Sequence, residues 1–335
     1  MFREAAEAGA AVARMLAANA DTLRELGRKL RSDPPAVVVT CARGSSDHAA
    51  TYGKYLIETA VNLPVASAAP SVASVYAAPA SARGALCIAI SQSGRSPDLL
   101  ATVDAYRKAG AQVVALVNDA ASPLATGADT LVRLEAGPER SVAATKSYIA
   151  SLAALAALVA EWADDDALRA AVTALPDRLR QAWALDWGAA GTLLANARNL
   201  FVIGRGLGLG VAQEAALKLK ETSGLHAEAF SSAEVRHGPM AIVTPGFPLL
   251  ALATSDGAGD DVRAAAEAFA GHGARVALAD ARSDGTGDLP ALAAHPAIEP
   301  ILMIQSFYRM VNALALARGY DPDAPALLSK VTCTV

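Results

Sequence analysis

The sequence predicts an α/β protein with two parallel sheets, each covered by helices on both faces. Short apolar runs alternate with helical stretches of roughly 10 to 15 residues, the pattern of β-α-β units. The alternation appears in both halves of the 335-residue chain. Because continuous apolar runs are typical of strands buried on both faces, the strands should be parallel.

The N-terminal half accounts for the first sheet. The predicted strands are Ala36–Ala42, Ala85–Ile90, Ala111–Asn118 and Thr130–Ala136. The predicted helices are Gly44–Ala60, Leu99–Ala109 and Thr145–Ala163. A further amphipathic helix is expected at the start of the chain, where Met1–Ala20 mixes charged residues with alanines and does not resemble a signal peptide.

The C-terminal half repeats this plan. Its predicted strands are Asn199–Gly204, Pro248–Thr254 and Ala274–Asp280, and its helices Val211–Ser223, Asp261–Ala270 and Ile301–Arg318. We expect the halves to join near Leu175–Trp187. The predicted divisions are an N-terminal helix (1–34), a first domain (35–180), a second domain (190–320) and a C-terminal tail (321–335).

Composition excludes several classes of function. The net charge of −4 gives no basic excess for general nucleic-acid binding, and no apolar run approaches the length of a membrane-spanning helix. The cysteines, Cys41, Cys87 and Cys333, are widely spaced, which argues against a disulfide framework or a zinc site. We expect a cytoplasmic protein with no metal and no cofactor.

Two loops rich in serine follow predicted strands, at Arg43–His48 and Ser91–Ser96. Ligands of parallel α/β sheets bind beyond the carboxyl ends of the strands. Ser96 suits the N-cap of the next helix and Pro97 its first position, but capping leaves the other polar residues of this loop unexplained. Hydroxyls beside a helix N-terminus suit a phosphate group. The glycines of Gly204–Gly210 do not have the spacing of a dinucleotide-binding motif.

Five separated motifs carry a resemblance to a known family. The segments "GSSDHA" (Gly44–Ala49), "SQSGRSPD" (Ser91–Asp98) and "SVAATKSY" (Ser141–Tyr148) resemble the sugar isomerase (SIS) domain, a phosphosugar-binding module. The segments Glu214–Val243 and Asp321–Val335 resemble the isomerase half of glucosamine-6-phosphate synthase. The resemblance implies two tandem SIS domains, each a three-layer αβα, flavodoxin-like fold.

The resemblance also implies a binding site for a hexosamine phosphate. The positions that match phosphate-binding residues, with Ser45 adjacent to them, are Ser46, Ser91, Gln92, Ser93 and Ser96. Positions that match sugar contacts are Val142, Ala144 and Ser329. Asp47, Arg95 and Ala144 stand where an aromatic residue, a glutamate and a serine are common, so the sugar pocket differs from that of the relatives.

Three charged residues share one helical face. Glu214, Lys218 and Glu221 follow at i, i+4 and i+7, a spacing that also suits a surface ladder of salt bridges. The resemblance favours catalysis. It implies that Glu221 moves a proton between C2 and C1 of the sugar and that Lys218 lies near these carbons.

Two further catalytic residues are implied by the resemblance alone. His237 would open the sugar ring in the active site of a neighbouring subunit, which implies a homodimer. Lys330 would meet the open-chain carbonyl, with the C-terminal tail closing the active site. His226 has no clear role.

The expected reaction is deamination of glucosamine 6-phosphate to fructose 6-phosphate and ammonia. A Met1-Phe2 start lacks the Met-Cys start of a glutaminase, so no glutaminase half is expected. Alternatives are an enzyme acting on fructosamine 6-phosphate or galactosamine 6-phosphate, and a non-catalytic phosphosugar-binding regulator. A regulator would need a helix-turn-helix partner, which Met1–Ser32 does not supply.

Overall fold

The computed structural model describes residues 1–283 and 286–330 and forms two compact units. The first-sheet unit comprises Ala10–Glu139, Ala150–Thr173 and the residues from Ser329 onward. The second-sheet unit comprises Met1–Gly9, Arg140–Ile149 and Ala174–Leu328. Each unit contains one five-stranded sheet.

The strands of the first-sheet unit are β1 (Val37–Cys41), β2 (Val65–Ser67), β3 (Ala85–Ser91), β4 (Gln112–Val117) and β5 (Thr130–Arg133). Those of the second-sheet unit are β6 (Asn199–Gly204), β7 (His226–Ser231), β8 (Pro248–Ala253), β9 (Arg275–Asp280) and β10 (Leu289–Pro290). The predicted strands are all present, within a few residues of their expected bounds. The strands β2, β7 and β10 were not predicted.

The helices in chain order are α1 (Phe2–Ala6), α2 (Ala8–Ser32), α3 (Ser45–Ala60), α4 (Pro70–Ser74), α5 (Pro97–Lys108), α6 (Pro123–Gly127), α7 (Lys146–Trp162), α8 (Asp166–Ala184), α9 (Gly188–Leu194), α10 (Leu209–Ser223), α11 (Gly257–Gly271) and α12 (Glu299–Ala317). The segment Leu175–Trp187, expected to join the two halves, lies largely in α8. None of the described helices is long and apolar enough to cross a membrane.

The two sheets have the same topology. The strand order is β2-β1-β3-β4-β5 in the first sheet, and β7-β6-β8-β9-β10 in the second, with every neighbouring pair parallel. This is the flavodoxin-like order, in which the chain turns back at the first strand and ligands bind at the switch point. The α/β prediction of two parallel sheets sandwiched by helices is therefore confirmed.

The central strands form the cores of both units. Every residue of β3 and β8 is buried, as continuous apolar runs require. Cys41 and Cys87 are buried free thiols, and burial raises the pKa of Cys87 to about 12, so the thiol stays protonated at neutral pH. Both thiols therefore act as apolar core side chains. Cys333 lies outside the described residues.

Candidate functional site

The two serine loops leave the same edge of the first sheet. They follow β1 and β3, which are adjacent and parallel, so both loops begin at the carboxyl ends of neighbouring strands. A charged contact joins them: Arg43 donates from Nε and Nη2 to Oδ2 of Asp98, at 2.8 and 2.6 Å. Asp98 is only 1% exposed. Arg43 therefore ties the loop after β1 to the first turn of α5.

The loop after β3 is folded by its own hydroxyls. Ser91 Oγ accepts from the backbone N–H of Gly94 at 2.9 Å, and Ser93 Oγ accepts from that of Arg95 at 3.4 Å. Gly94 has φ +62°, and a Cβ atom there would lie 2.2 Å from Ser122 Oγ. Glycine is therefore required on both conformational and steric grounds. Because a hydroxyl that accepts can still donate, both serines keep an O–H for another acceptor.

The N-terminus of α5 has no side-chain cap. Ser96 occupies the N-cap position and Pro97 the first helical position, as predicted, but Ser96 makes no capping hydrogen bond. The helix after β8 provides an internal comparison, because Asp256 caps α11 by accepting from the Gly259 N–H at 3.1 Å. In α5 the first-turn carboxylate of Asp98 accepts from the Leu99 N–H at 2.8 Å. The Ser96 hydroxyl makes no capping bond, so it can contact an acceptor from outside the chain.

A buried carboxylate that was not predicted lies beside the serine loop. Glu139, with a side chain 0% exposed, accepts from Gln92 Nε2 at Oε2, 2.7 Å away. The same oxygen lies 3.8 Å from Nζ of Lys330. Glu139 thereby connects two predicted site residues that are far apart in sequence. A lone glutamate in a loop gives no periodic or spacing signal by which it could have been found.

The charged face of α10 is buried. Lys218 Nζ lies 2.6 Å from Glu221 Oε2 and 3.3 Å from Glu214 Oε1, and Glu214 also accepts from the Tyr308 hydroxyl at 3.1 Å. The side chains of Lys218 and Glu214 are 1% and 0% exposed, whereas that of Glu221 is 20% exposed. A surface ladder of salt bridges is therefore excluded. Of the two carboxylates, Glu221 is the one that a ligand can reach.

Electrostatics keep Lys218 charged. Burial alone would lower its pKa, but the negative charges of Glu214 and Glu221 outweigh burial and raise the pKa above the ordinary value. The ammonium group holds the Glu221 carboxylate through a charge-assisted hydrogen bond. The arrangement can fix a base at the side of a substrate.

His237 follows a short 3-10 turn, Glu234–Arg236, and its side chain is exposed. Among the described residues, that side chain makes no hydrogen bond or ion pair. Asp261 fixes the segment that precedes His237. It accepts hydrogen bonds from Arg205 at 2.6 Å and from Ser232, and it lies 3.7 Å from Arg236. These three partners lower the pKa of Asp261, the Ser232 hydrogen bond most of all.

The other predicted residues divide between the units. Ser45 and Ser46 form the half-buried first turn of α3, in the first-sheet unit, where Ser329 is exposed. Val142 and Ala144 are half-buried in the second-sheet unit, where the Val142 N–H donates to the carbonyl oxygen of Asp323 at 3.1 Å. The predicted tail is described as far as Lys330. No cluster of three potential metal ligands occurs within residues 1–283 and 286–330.

Comparison with known families and curated proteins gives consistent results. The SIS domain model matches residues 36–161 and 193–317. Glutamine–fructose-6-phosphate aminotransferase (isomerizing) of Aeropyrum pernix is 35% identical over 312 residues, covering 87% of this chain and 50% of that protein. The chain thus spans about half the length of the curated relatives it matches.

Solved structures show the same fold over the whole chain. A candidate phosphosugar isomerase from Silicibacter pomeroyi is 45% identical, with a TM-score of 0.90, covering 96% of this chain and 99% of that chain. Glucosamine-6-phosphate deaminase from Thermotoga maritima has a TM-score of 0.75 at 22% identity, covering 97% of this chain and 100% of that chain. The latter similarity establishes the fold alone.

Proposed function

Because the chain belongs to the SIS domain family and is homologous to the isomerase half of glutamine–fructose-6-phosphate aminotransferase, we propose that it is a glucosamine-6-phosphate deaminase. The observation that carries the proposal is Glu221, a partly exposed carboxylate held by a buried lysine. A base of this kind suits a proton transfer between adjacent carbons.

The proposed reaction converts glucosamine 6-phosphate and water to fructose 6-phosphate and ammonia. After ring opening, Glu221 removes the proton from C2 and returns it to C1, while one amine proton passes to the C1 carbonyl oxygen. The C1 aldehyde thus becomes a hydroxymethyl group, and the amine at C2 becomes an imine. Water then adds to the imine, and ammonia leaves as the C2 ketone forms. The protons and the nitrogen balance without an oxidant or a reductant. Lys218 keeps the Glu221 carboxylate in place throughout.

Both units carry residues that suit this reaction. In the first-sheet unit, the hydroxyls of Ser91, Ser93 and Ser96 at the start of α5 suit the phosphate. Ser45 and Ser46 would add hydroxyls from the first turn of α3, a second helix N-terminus. In the second-sheet unit, Glu221 supplies the base. We assign ring opening to His237 from a neighbouring subunit of a homodimer, and contact with the carbonyl to Lys330.

The amine of the substrate is inferred from the curated relatives, whose name, glutamine–fructose-6-phosphate aminotransferase (isomerizing), combines amino-group transfer with isomerisation. A second candidate function is isomerisation of a sugar phosphate without an amine. The similarity to the Silicibacter pomeroyi protein, described only as a candidate phosphosugar isomerase, favours this alternative.

A substrate panel separates the two candidates. The purified protein is incubated with glucosamine 6-phosphate, galactosamine 6-phosphate, fructosamine 6-phosphate and the amine-free glucose 6-phosphate, and both ammonia and ketose phosphate are measured. We expect equal amounts of ammonia and fructose 6-phosphate from glucosamine 6-phosphate. Ketose formed from the amine-free sugar alone would support a simple isomerase instead. No turnover of any substrate would leave the phosphosugar-binding regulator as the better interpretation.

A further inference from the structure

We propose that Glu139 is a positioning residue that couples the phosphate-binding loop to Lys330. The proposal rests on the function proposed above and concerns a residue to which neither the motifs nor the relatives' names assign a role. Its basis is one buried carboxylate oxygen that contacts two separate parts of the site.

The first contact orients the loop. Glu139 Oε2 accepts a hydrogen bond from Gln92 Nε2 at 2.7 Å. A carboxylate only accepts, so it fixes which end of the Gln92 amide faces it. The second amide N–H of Gln92 then remains to donate to another acceptor. Gln92 lies between Ser91 and Ser93, where the phosphate is expected.

The second contact sets the charge of this region. The Glu139 side chain is 0% exposed, and a buried carboxylate beside a site for a dianion would repel that ligand. The Lys330 ammonium group, 3.8 Å from Oε2 and 27% exposed, offsets this charge. Lys330 is thereby held at the phosphate loop, and its positive charge makes the loop more favourable to an anion.

The coupling predicts an unusual result for a double variant. Lys330→Met removes a cation 3.8 Å from the buried Glu139 carboxylate, so binding of inorganic phosphate should weaken at least about tenfold. Adding Glu139→Gln removes that charge and preserves an acceptor for Gln92. The double variant should therefore regain phosphate affinity to within about threefold of the wild-type protein. Deamination should stay absent in both variants, because both lack Lys330.

Isothermal calorimetry with inorganic phosphate measures this cycle without turnover. Glu25→Gln, which removes an exposed carboxylate from α2 in the same unit, serves as the matched control. Lys330→Met binding phosphate as the wild type does, or a double variant as weak as Lys330→Met, would overturn the proposal. A merely structural role for Glu139 would make the double variant weaker than either single one.

A second readout needs no ligand. Trypsin can cleave after Lys330 only when that side chain leaves Glu139, so Glu139→Gln should speed cleavage at this bond several-fold, while Glu25→Gln should not. Mass spectrometry of the shortened chain follows the digestion. Equal rates in all three proteins would contradict the proposal even if wild-type protein bound no phosphate. Failure of every hexosamine phosphate to react would refute the proposed function and leave both readouts informative.

Discussion

Lys218 is the residue on which the chemistry of the second-sheet unit depends. It is a charged side chain almost fully removed from water, and two carboxylates compensate for the lost hydration. Glu214 is also bound by Tyr308 and is wholly buried, so it serves as a structural counter-ion. Glu221 retains contact with solvent, which suits it to the proposed proton transfer. The two glutamates thus have different roles because their burial differs.

Removing the Lys218 charge should destabilise the protein strongly. Lys218→Met removes the cation that contacts the buried Glu214, and we expect a loss of about 3–5 kcal/mol in the free energy of unfolding. Urea denaturation measures it. The double variant Lys218→Met/Glu214→Gln removes the stranded charge and keeps an acceptor for Tyr308, so it should recover most of this loss. A double variant as unstable as Lys218→Met would contradict the assignment of Glu214 as a counter-ion.

The same residue predicts a pH dependence. Its pKa is raised above 10.5 in the folded protein, so the folded state holds the proton more tightly than the unfolded chain does. The stability that Lys218 contributes is therefore complete below pH 10.5 and is lost as the pH rises through the folded pKa. Urea denaturation across this range should show the gap between wild type and Lys218→Met narrowing with increasing pH. If the stability difference between the two proteins widened with increasing pH, the raised pKa assigned to Lys218 would be contradicted.

At the scale of single residues, sequence and structure differ in what they reveal. The positions of Ser96 and Pro97 at the start of α5 were predictable, because capping follows local rules. The absence of a capping hydrogen bond was not predictable, since it depends on one rotamer. Glu139 could not be identified either, because its partners Gln92 and Lys330 are distant in sequence.

At the scale of elements, the two loops after β3 and β8 share an arginine–aspartate ion pair but differ at the N-cap of the helix that follows. In each unit an arginine after the first strand of the sheet pairs with an aspartate in the first or second turn of the helix that follows the third strand: Arg43 with Asp98, and Arg205 with Asp261. Only in α11 does the side chain of the N-cap residue, Asp256, accept a capping hydrogen bond. In α5 the second helical residue, Asp98, accepts from the Leu99 N–H instead. The repeated arginine–aspartate pair fixes both loops, and Ser91, Ser93 and Ser96 are what suit the first loop to an anion.

This difference predicts different effects on protein stability for two substitutions, Asp256→Ala and Ser96→Ala. Asp256→Ala removes a capping bond and should cost about 1 kcal/mol of unfolding free energy. Ser96→Ala removes none, so it should change stability by less than about 0.5 kcal/mol while weakening phosphate binding. Thermal or urea denaturation and phosphate calorimetry of both variants provide the comparison. A Ser96→Ala protein that lost stability and kept phosphate affinity would show that its hydroxyl acts as a cap.

The strands that were not predicted share a physical cause. The missed strands β2, β7 and β10 all lie at sheet edges, where one side has no neighbour. Edge strands need no continuous apolar run, and β2 and β7 expose part of their residues. The central strands β3 and β8 are buried at every position, so their sequences are continuous apolar runs that predict strands. Strands with a continuous apolar run were therefore predictable, including the edge strand β5, whereas the short or partly exposed edge strands were not.

At the scale of the whole molecule, the chain contains two units of the same topology that carry different candidate site residues. The strand order is the same in both sheets, so the repeat inferred from pattern alone is confirmed in the fold. The side chains differ: one unit carries the serine loops and the other the helix α10 with Glu214, Lys218 and Glu221. The proposed donation of His237 to a second subunit is the remaining requirement, and it can be tested by mixing inactive variants.

Glu221→Gln and His237→Asn should each be inactive alone, and a mixture should regain activity. In dimers formed at random, half are mixed, and one of the two sites in each mixed dimer combines an intact Glu221 with an intact His237. Co-refolded or co-expressed protein should therefore reach roughly a quarter of wild-type deamination. Each variant mixed with itself is the control. No recovery, with mixed dimers demonstrated by tagged subunits, would place His237 and Glu221 of one chain in the same site.

The measurement that tests the central claim most directly is release of ammonia from glucosamine 6-phosphate by the wild-type protein and by Glu221→Gln. The substitution keeps the shape of the side chain and an acceptor for Lys218 but removes the base. We predict that the wild type forms one ammonia per fructose 6-phosphate. Glu221→Gln should lose this activity while binding inorganic phosphate as before. Turnover retained by Glu221→Gln, or no ammonia from the wild type, would contradict the account.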